Sequence, residues 1–157
     1  VANPLINITI QGRHDTYPKR RGMTRVPELM AAGIDVAFGH DCVMDPWYAL
    51  GSGDMLEVAA MGLHVAQMTG QDAMRACFDA VTVNAAKILH LDGYGIAPGN
   101  RADFVLLQAR DPVEAIRLRA TRLMVFRAGR LVAQTPAATA ALHVPGRPGS
   151  VDWSLGR

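Results

Sequence analysis

A short apolar run that ends at a histidine and an aspartate constrains the fold most strongly. The run is IDVAF at residues 34–38, and Gly39, His40 and Asp41 follow it directly. A run of this kind is typical of a buried strand. In a parallel α/β fold, the chemistry lies at the carboxyl ends of the strands. The position of Asp41 is therefore that of a catalytic or metal-binding carboxylate.

The segments around this run predict one βαβ unit followed by helices. Residues 5–10 alternate apolar and polar side chains, which predicts a strand. A short helix, capped by Thr24, is predicted between that strand and residues 34–38, so the two strands should be parallel. Asp54 is predicted to cap a helix over residues 55–66. Residues 71–91 are again helical in pattern, and Thr82 is a candidate break.

The character of the chain changes after residue 91, which predicts three parts: 1–91, 92–135 and 136–157. A turn-rich passage precedes a predicted strand at 103–108, and Asp111 and Pro112 predict the start of a short helix. Predicted strands at 123–127 and 130–133 are joined by a hairpin at Ala128 and Gly129. The remainder, rich in Ala, Pro and Gly, is predicted to be a loosely held tail.

Composition excludes several classes of protein. Half of the residues are hydrophobic and 19% are charged, which argues against a disordered chain. A net charge of +2 is too small for a nucleic-acid surface, and the one basic cluster, at residues 17–22, is interpreted as a solvated loop. Two cysteines fit a reducing cytoplasm. No apolar run reaches about 18 residues, so no membrane span is predicted.

The chain also resembles a known family. The segments VANPL at residue 1, QGR at 11, DTYPKRRG at 15 and GHD through DPW at 39–47 are similar to bacterial cytosine deaminases of the amidohydrolase superfamily. The segments NAAKIL at 84, GIAPGN at 95 and ADFV at 102 resemble the general C-terminal pattern of that superfamily. The likeness extends from Val1 to about Ala133.

The resemblance implies an α/β fold, namely the C-terminal part of a (β/α)8 barrel plus part of a small β-sandwich. It implies one divalent metal, iron or zinc, which activates a water so that the ring amine leaves as ammonia. Asp41 matches the aspartate that contacts the metal and takes the proton of the water. Trp47 matches the tryptophan that lines the base pocket. The expected partner is a small nucleobase, with neither nucleic acid nor membrane, and we expect a homo-oligomer.

Two departures from the family pattern shape these expectations. Cys42 stands where the enterobacterial members have a second aspartate that borders the substrate. A thiol is smaller and uncharged, so ring-substituted or differently aminated bases become candidate substrates, unless Cys42 only fills space. The other metal ligands of the family, including a His-x-His, have no counterpart here, so we expect this chain to be inactive alone. Since it begins at Val1 inside an apolar run, we expect it to be a piece of a longer protein.

Alternative interpretations remain open at this point. The base could be another aminated pyrimidine, a purine or a triazine. The chain could also be a non-catalytic fragment or an assembly module.

Overall fold

A computed structural model describes residues 1–151, and the chain divides into two compact units, Val1–Asp92 and a second that begins at Gly93. The first unit contains the helices α1 (Pro4–Ile10), α2 (Val26–Ala31), α3 (Met55–Val65), α4 (Gln71–Ala80) and α5 (Val83–Ile88). The second contains β1 (Phe104–Leu107), α6 (Pro112–Leu118), β2 (Arg122–Arg127), β3 (Arg130–Gln134), β4 (Ala140–Ala141) and β5 (Ser150–Val151). Within residues 1–151, none of the helices has the length and apolarity needed to cross a bilayer.

The strand predicted at residues 5–10 is wrong, because these residues form helix α1. Pro4 occupies the first turn of the helix, where its missing N–H costs nothing. Leu5 and Ile6 are both buried although they are adjacent, which departs from the one-sided alternation on which the strand prediction was based. The Thr9 hydroxyl donates to the Leu5 carbonyl at 2.7 Å, which satisfies this polar group within the helix.

The strand predicted at residues 34–38 is also absent as a regular strand. One isolated parallel bridge joins Ala2 to Phe38. The Ala2 N–H donates to the Ala37 carbonyl at 2.8 Å, and the Gly39 N–H donates to the Ala2 carbonyl at 2.9 Å. Because helix α1 begins directly after Asn3, too few residues remain extended to build a longer ladder. The predicted pair of parallel strands is therefore reduced to a single bridge.

The segment before Asp41 is held on its other side by helices α3, α4 and α5. The Phe38 N–H donates to the Ala80 carbonyl at 2.9 Å. The Asn84 side-chain amide donates to the Val36 carbonyl at 3.0 Å. Gly62 of α3 leaves room for the buried Phe38 ring, since a Cβ there would lie 2.5 Å from it. These contacts fix the backbone from residue 36 to residue 39.

Several local predictions are confirmed. Asp54 caps α3, and its carboxylate accepts the Leu56 N–H at 2.7 Å. Thr82 separates α4 from α5. Asp111 caps α6 and accepts the Glu114 N–H at 2.9 Å. The prediction that Thr24 caps the short helix α2 is wrong, because Arg25 occupies the N-cap position and makes no side-chain capping bond.

The second unit contains an antiparallel sheet in the order β1-β2-β3, as the hairpin prediction required. Ala128 and Gly129 have φ values of 48° and 74°, the left-handed geometry of a tight hairpin turn. The Ala128 N–H donates to the Asp103 carboxylate at 2.5 Å, which fixes this turn to the start of β1. The rings of Phe104 and Phe126 stack across the sheet at 4.6 Å.

The segment after residue 136, for which we predicted a loose tail, is tied down within the described residues. Strands β4 and β5 pair in antiparallel fashion. The Gln108 side chain exchanges two hydrogen bonds of 2.8 Å with the backbone of Ala138. A side-chain amide that pairs with a backbone amide thus replaces a longer strand. The last part of the predicted tail, residues 152–157, lies outside the described residues.

Candidate functional site

Asp41 lies where the chain leaves the helical framework and enters the loop of residues 41–53. Its φ of 65° falls in the left-handed region, which Asp tolerates better than most residues. Its side chain is exposed, and one carboxylate oxygen, Oδ2, accepts a hydrogen bond from Asn3 Nδ2 at 2.9 Å. The carboxylate is therefore oriented by a residue 38 positions earlier in the chain.

Cys42 is buried beside Asp41, and its Sγ donates to Asp41 Oδ1 at 3.5 Å. The carboxylate of Asp45, burial, and the carboxylate of Asp41 raise the pKa of the Cys42 thiol to about 12. The nearby Cys42 thiol, together with two backbone N–H donors, lowers the pKa of Asp45. At neutral pH the side chain of Cys42 is consequently a thiol that donates, rather than a thiolate nucleophile.

Asp45 organises the turn that carries Trp47. Its Oδ1 accepts the N–H groups of Trp47 and Tyr48, both at 2.9 Å. This confirms that Asp45 starts the turn and orders the loop. The Trp47 side chain is 73% exposed. Trp47 thus presents a large aromatic surface in the same loop as Asp41, and its role in binding a base stays a prediction.

The His40 side chain holds the loop of residues 41–53 through hydrogen bonds to two of its backbone groups. The side chain is buried, and its Nε2 accepts the Gly53 N–H at 3.3 Å. Since a backbone N–H only donates, the ring proton lies on Nδ1, which donates to the Cys42 carbonyl at 2.8 Å. Gly51, with a φ of 89°, passes so close to the imidazole that a Cβ would lie 2.5 Å from Cε1. His40 therefore supports the loop through its packing and its two ring hydrogen bonds.

The basic cluster at residues 17–22 lies on the polar loop after helix α1. Arg20 binds Asp15 through two hydrogen bonds, of 2.6 and 2.7 Å. Tyr17 is 96% exposed. These features confirm the interpretation of this cluster as a solvated loop.

The residues present fit one ligand of a metal site. Each Asp41 oxygen accepts one hydrogen bond, and a carboxylate oxygen has a second lone pair for a cation. Among residues 1–151, no three His, Cys, Asp or Glu side chains lie together in a way that could hold a metal ion. A single carboxylate is too few to hold a catalytic metal, so the role of Asp41 as a metal ligand stays a prediction.

Sequence reasoning missed Asn3 as a part of this site. In the sequence, Asn3 stands within a family segment, directly before the residues that form helix α1. The pair Asn3-Pro4 is typical of a helix start, and it carries no signal for the contact with Asp41.

Comparison with known proteins gives a family match and several similar structures. The sequence pattern of the amidohydrolase family matches residues 1–133. The structure is similar to 5-methylcytosine deaminase from Klebsiella pneumoniae liganded with 5-fluorocytosine, with 41% identity, a TM-score of 0.84, and coverage of 93% of this chain and 35% of that one. It is also similar to N-isopropylammelide isopropylaminohydrolase from Burkholderia multivorans, with 37% identity, a TM-score of 0.71, and coverage of 76% and 31%.

A further relative also matches most of this chain but less than a third of its own length. Pterin deaminase from Rhizobium rhizogenes is 34% identical over 134 residues, which are 84% of this chain and 30% of that protein. The chain therefore spans about a third of the length of the relatives it matches.

Proposed function

The chain belongs to the amidohydrolase family, and on this basis we propose that it is part of a metal-dependent deaminase of cytosine and 5-substituted cytosines. The observation that best supports this proposal is the arrangement of side chains in the loop of residues 41–53. An oriented, exposed carboxylate, Asp41, lies next to a small, buried and uncharged thiol, Cys42.

In this proposal the chain supplies the C-terminal part of a (β/α)8 barrel and part of a β-sandwich. The parallel bridge between Ala2 and Phe38 and the five helices of the first unit support the barrel portion. The antiparallel sheet of the second unit supports the sandwich portion. The coverage of 35% of the Klebsiella enzyme is consistent with a segment of such a protein.

Asp41 has two tasks in this proposal. When bound, a divalent metal, iron or zinc, supplies a water that is activated at neutral pH. Asp41 contributes one carboxylate ligand, and the other ligands lie outside this chain. Its Oδ2 is engaged by the Asn3 amide, whereas the donor to Oδ1 among the described residues is the weak thiol of Cys42. We assign proton acceptance to Oδ1, because less of its basicity is taken up by a hydrogen bond.

Cys42 sets the choice of base in this proposal. Its thiol remains protonated, so the group beside Asp41 is neutral and only a weak donor. A substituent on the ring is tolerated better by a small, weakly polar group than by a carboxylate, which would bring charge and tightly held water. The similarity to a 5-methylcytosine deaminase supports this assignment. Trp47, exposed in the same loop, provides the aromatic surface for the ring.

The test uses the full-length protein, loaded with metal, and a panel of bases: cytosine, 5-methylcytosine, 5-fluorocytosine, pterin and N-isopropylammelide. Amine or ammonia release gives kcat/KM for each. We expect the two 5-substituted cytosines and cytosine to be the best substrates. Asp41→Asn should abolish turnover of every base. No turnover of any base by the metal-loaded protein would refute the enzymatic proposal and favour a non-catalytic module.

A pair of variants at position 42 tests the choice of base. Cys42→Asp should lower the ratio of kcat/KM for 5-methylcytosine to that for cytosine by roughly 10- to 100-fold, the range over which one small group in a pocket discriminates. Cys42→Ser, of similar size and also uncharged, is the matched control and should change the ratio little. An unchanged ratio in Cys42→Asp would contradict the role of Cys42. Preference for pterin or the triazine would redirect the substrate class.

A further inference from the structure

Asn3 occupies the N-cap of helix α1 without capping it. An asparagine at this position normally accepts a backbone N–H of the first helical turn through its side-chain oxygen. Here the side chain makes no such bond. Instead, its Nδ2 donates to Asp41 Oδ2 at 2.9 Å. Since an ionised carboxylate only accepts, the NH₂ group must be the end that faces it.

Gly39 provides the space that this side chain needs. A Cβ at residue 39 would lie 2.5 Å from Asn3 Oδ1. Gly39 does not have a positive φ, so its backbone conformation is open to other residues, and the steric conflict is what disfavours them. The two hydrogen bonds of Ala2 to Ala37 and Gly39 fix the backbone of the two segments side by side. Asn3, Gly39 and Asp41 therefore form one arrangement.

We propose that Asn3 is a positioning residue for the Asp41 carboxylate in the metal site, an inference that rests on the proposed function. The Asp41 side chain is exposed, so packing does not fix the rotation of its carboxylate. The Asn3 amide holds Oδ2 and thereby sets the direction in which Oδ1 points. Loss of this donor frees the carboxylate to rotate, which weakens its hold on the metal while the contacts with the base are untouched.

The experiment uses the full-length protein loaded with Zn²⁺ as the probe, and it measures transfer of zinc to a chromogenic chelator together with kcat and KM. We expect Asn3→Ala and Asn3→Ser to release zinc roughly 10- to 100-fold faster, the usual effect of removing a hydrogen-bond partner of a metal ligand. Both should lower kcat and leave KM for the base unchanged. Gly39→Ala, which displaces the Asn3 side chain, should have the same effect.

Asn7→Ala is the matched control. Asn7 lies on the same helix and its side chain is only partly buried. It should leave zinc release and kcat as in the parent protein. In an Asp41→Asn background, Asn3→Ala should cause no further acceleration of zinc release, because its effect passes through Asp41.

Asn3→Ser retains a favourable N-cap residue, so it decides the question if Asn3→Ala fails to fold. Zinc release and kcat at the parent values in folded Asn3→Ser would overturn the inference. So would a lower melting temperature without faster zinc release. If Asp41→Asn itself keeps its zinc and its turnover, the proposed function is what fails. If Asp41→Asn loses both and the Asn3 variants lose neither, only the role of Asn3 is refuted.

Discussion

Replacement of Gly62 by alanine tests how the segment that leads to Asp41 is supported. Gly62 lies in helix α3 against the ring of Phe38, which is only 2% exposed. A Cβ at residue 62 would lie 2.5, 2.9 and 3.0 Å from three ring carbons of Phe38. The best separation of two carbons is about 3.5–4.0 Å, so the shortest contact is roughly 1 Å too close.

The size of the effect follows from two opposing contributions. Overpacking of a core costs about 1–3 kcal/mol, and a buried ring with a 1 Å overlap belongs at the upper end. Alanine in place of glycine inside a helix contributes about 1 kcal/mol of stabilisation. We therefore expect Gly62→Ala to lower the free energy of unfolding by about 2 kcal/mol. Most of this loss should disappear when Phe38 is made smaller.

The assay is urea unfolding of the full-length protein, followed by a spectroscopic signal that reports on the unit Val1–Asp92. Gly149→Ala is a control, since a Cβ there meets nothing within 4 Å, and it should stay within about 0.5 kcal/mol of the parent. In a Phe38→Leu background, Gly62→Ala should be neutral or stabilising. Equal destabilisation by Gly62→Ala in both backgrounds would refute the steric argument.

Two further predictions concern single side chains. Arg110 lowers the pKa of Glu114 below its ordinary 4.5, so the stabilisation by Glu114 is complete above that value and is lost as the pH falls through the lowered pKa. The difference in urea midpoint between the parent and Glu114→Gln should thus be largest near neutral pH and should shrink on acidification. A difference that grows on acidification would contradict this. Asn84→Ala, which loses the hydrogen bond to Val36, should lower the free energy of unfolding by about 1 kcal/mol. Lys87→Ala, which breaks an exposed ion pair, should lower it by less than about 0.5 kcal/mol in the same assay. The reverse order would be inconsistent with the structure.

The elements that were predictable have signals that act within a few residues. The caps at Asp54 and Asp111 are side chain–backbone bonds to the first helical turn, and the hairpin at Ala128 depends on the turn geometry that Gly129 allows. Such bonds join residues only a few positions apart, so they depend little on the tertiary setting, although Asn3 and Thr24 show that a residue of capping type does not always cap its helix. The two caps and the hairpin were confirmed for that reason.

The predicted strand at residues 5–10 failed because its pattern had two solutions. Its β-branched residues favour a strand, but this preference is worth only about 1 kcal/mol and depends on the neighbours. The start at Pro4 and the joint burial of Leu5 and Ile6 favour the helix. That burial depends on the rest of the core and cannot be predicted from residues 5–10 alone.

The sequence by itself determined the chemical groups of the candidate site. Asp41, Cys42 and Asp45 are near neighbours in the chain, so a loop that carries a carboxylate beside a thiol was predictable from the motif and its family likeness. The tertiary structure decided how the Asp41 carboxylate is directed. Its partner Asn3 is 38 residues away, and the two meet only because the Ala2–Phe38 bridge brings the segments together. A side-chain orientation depends on contacts across the fold, and adjacency in the chain does not encode them.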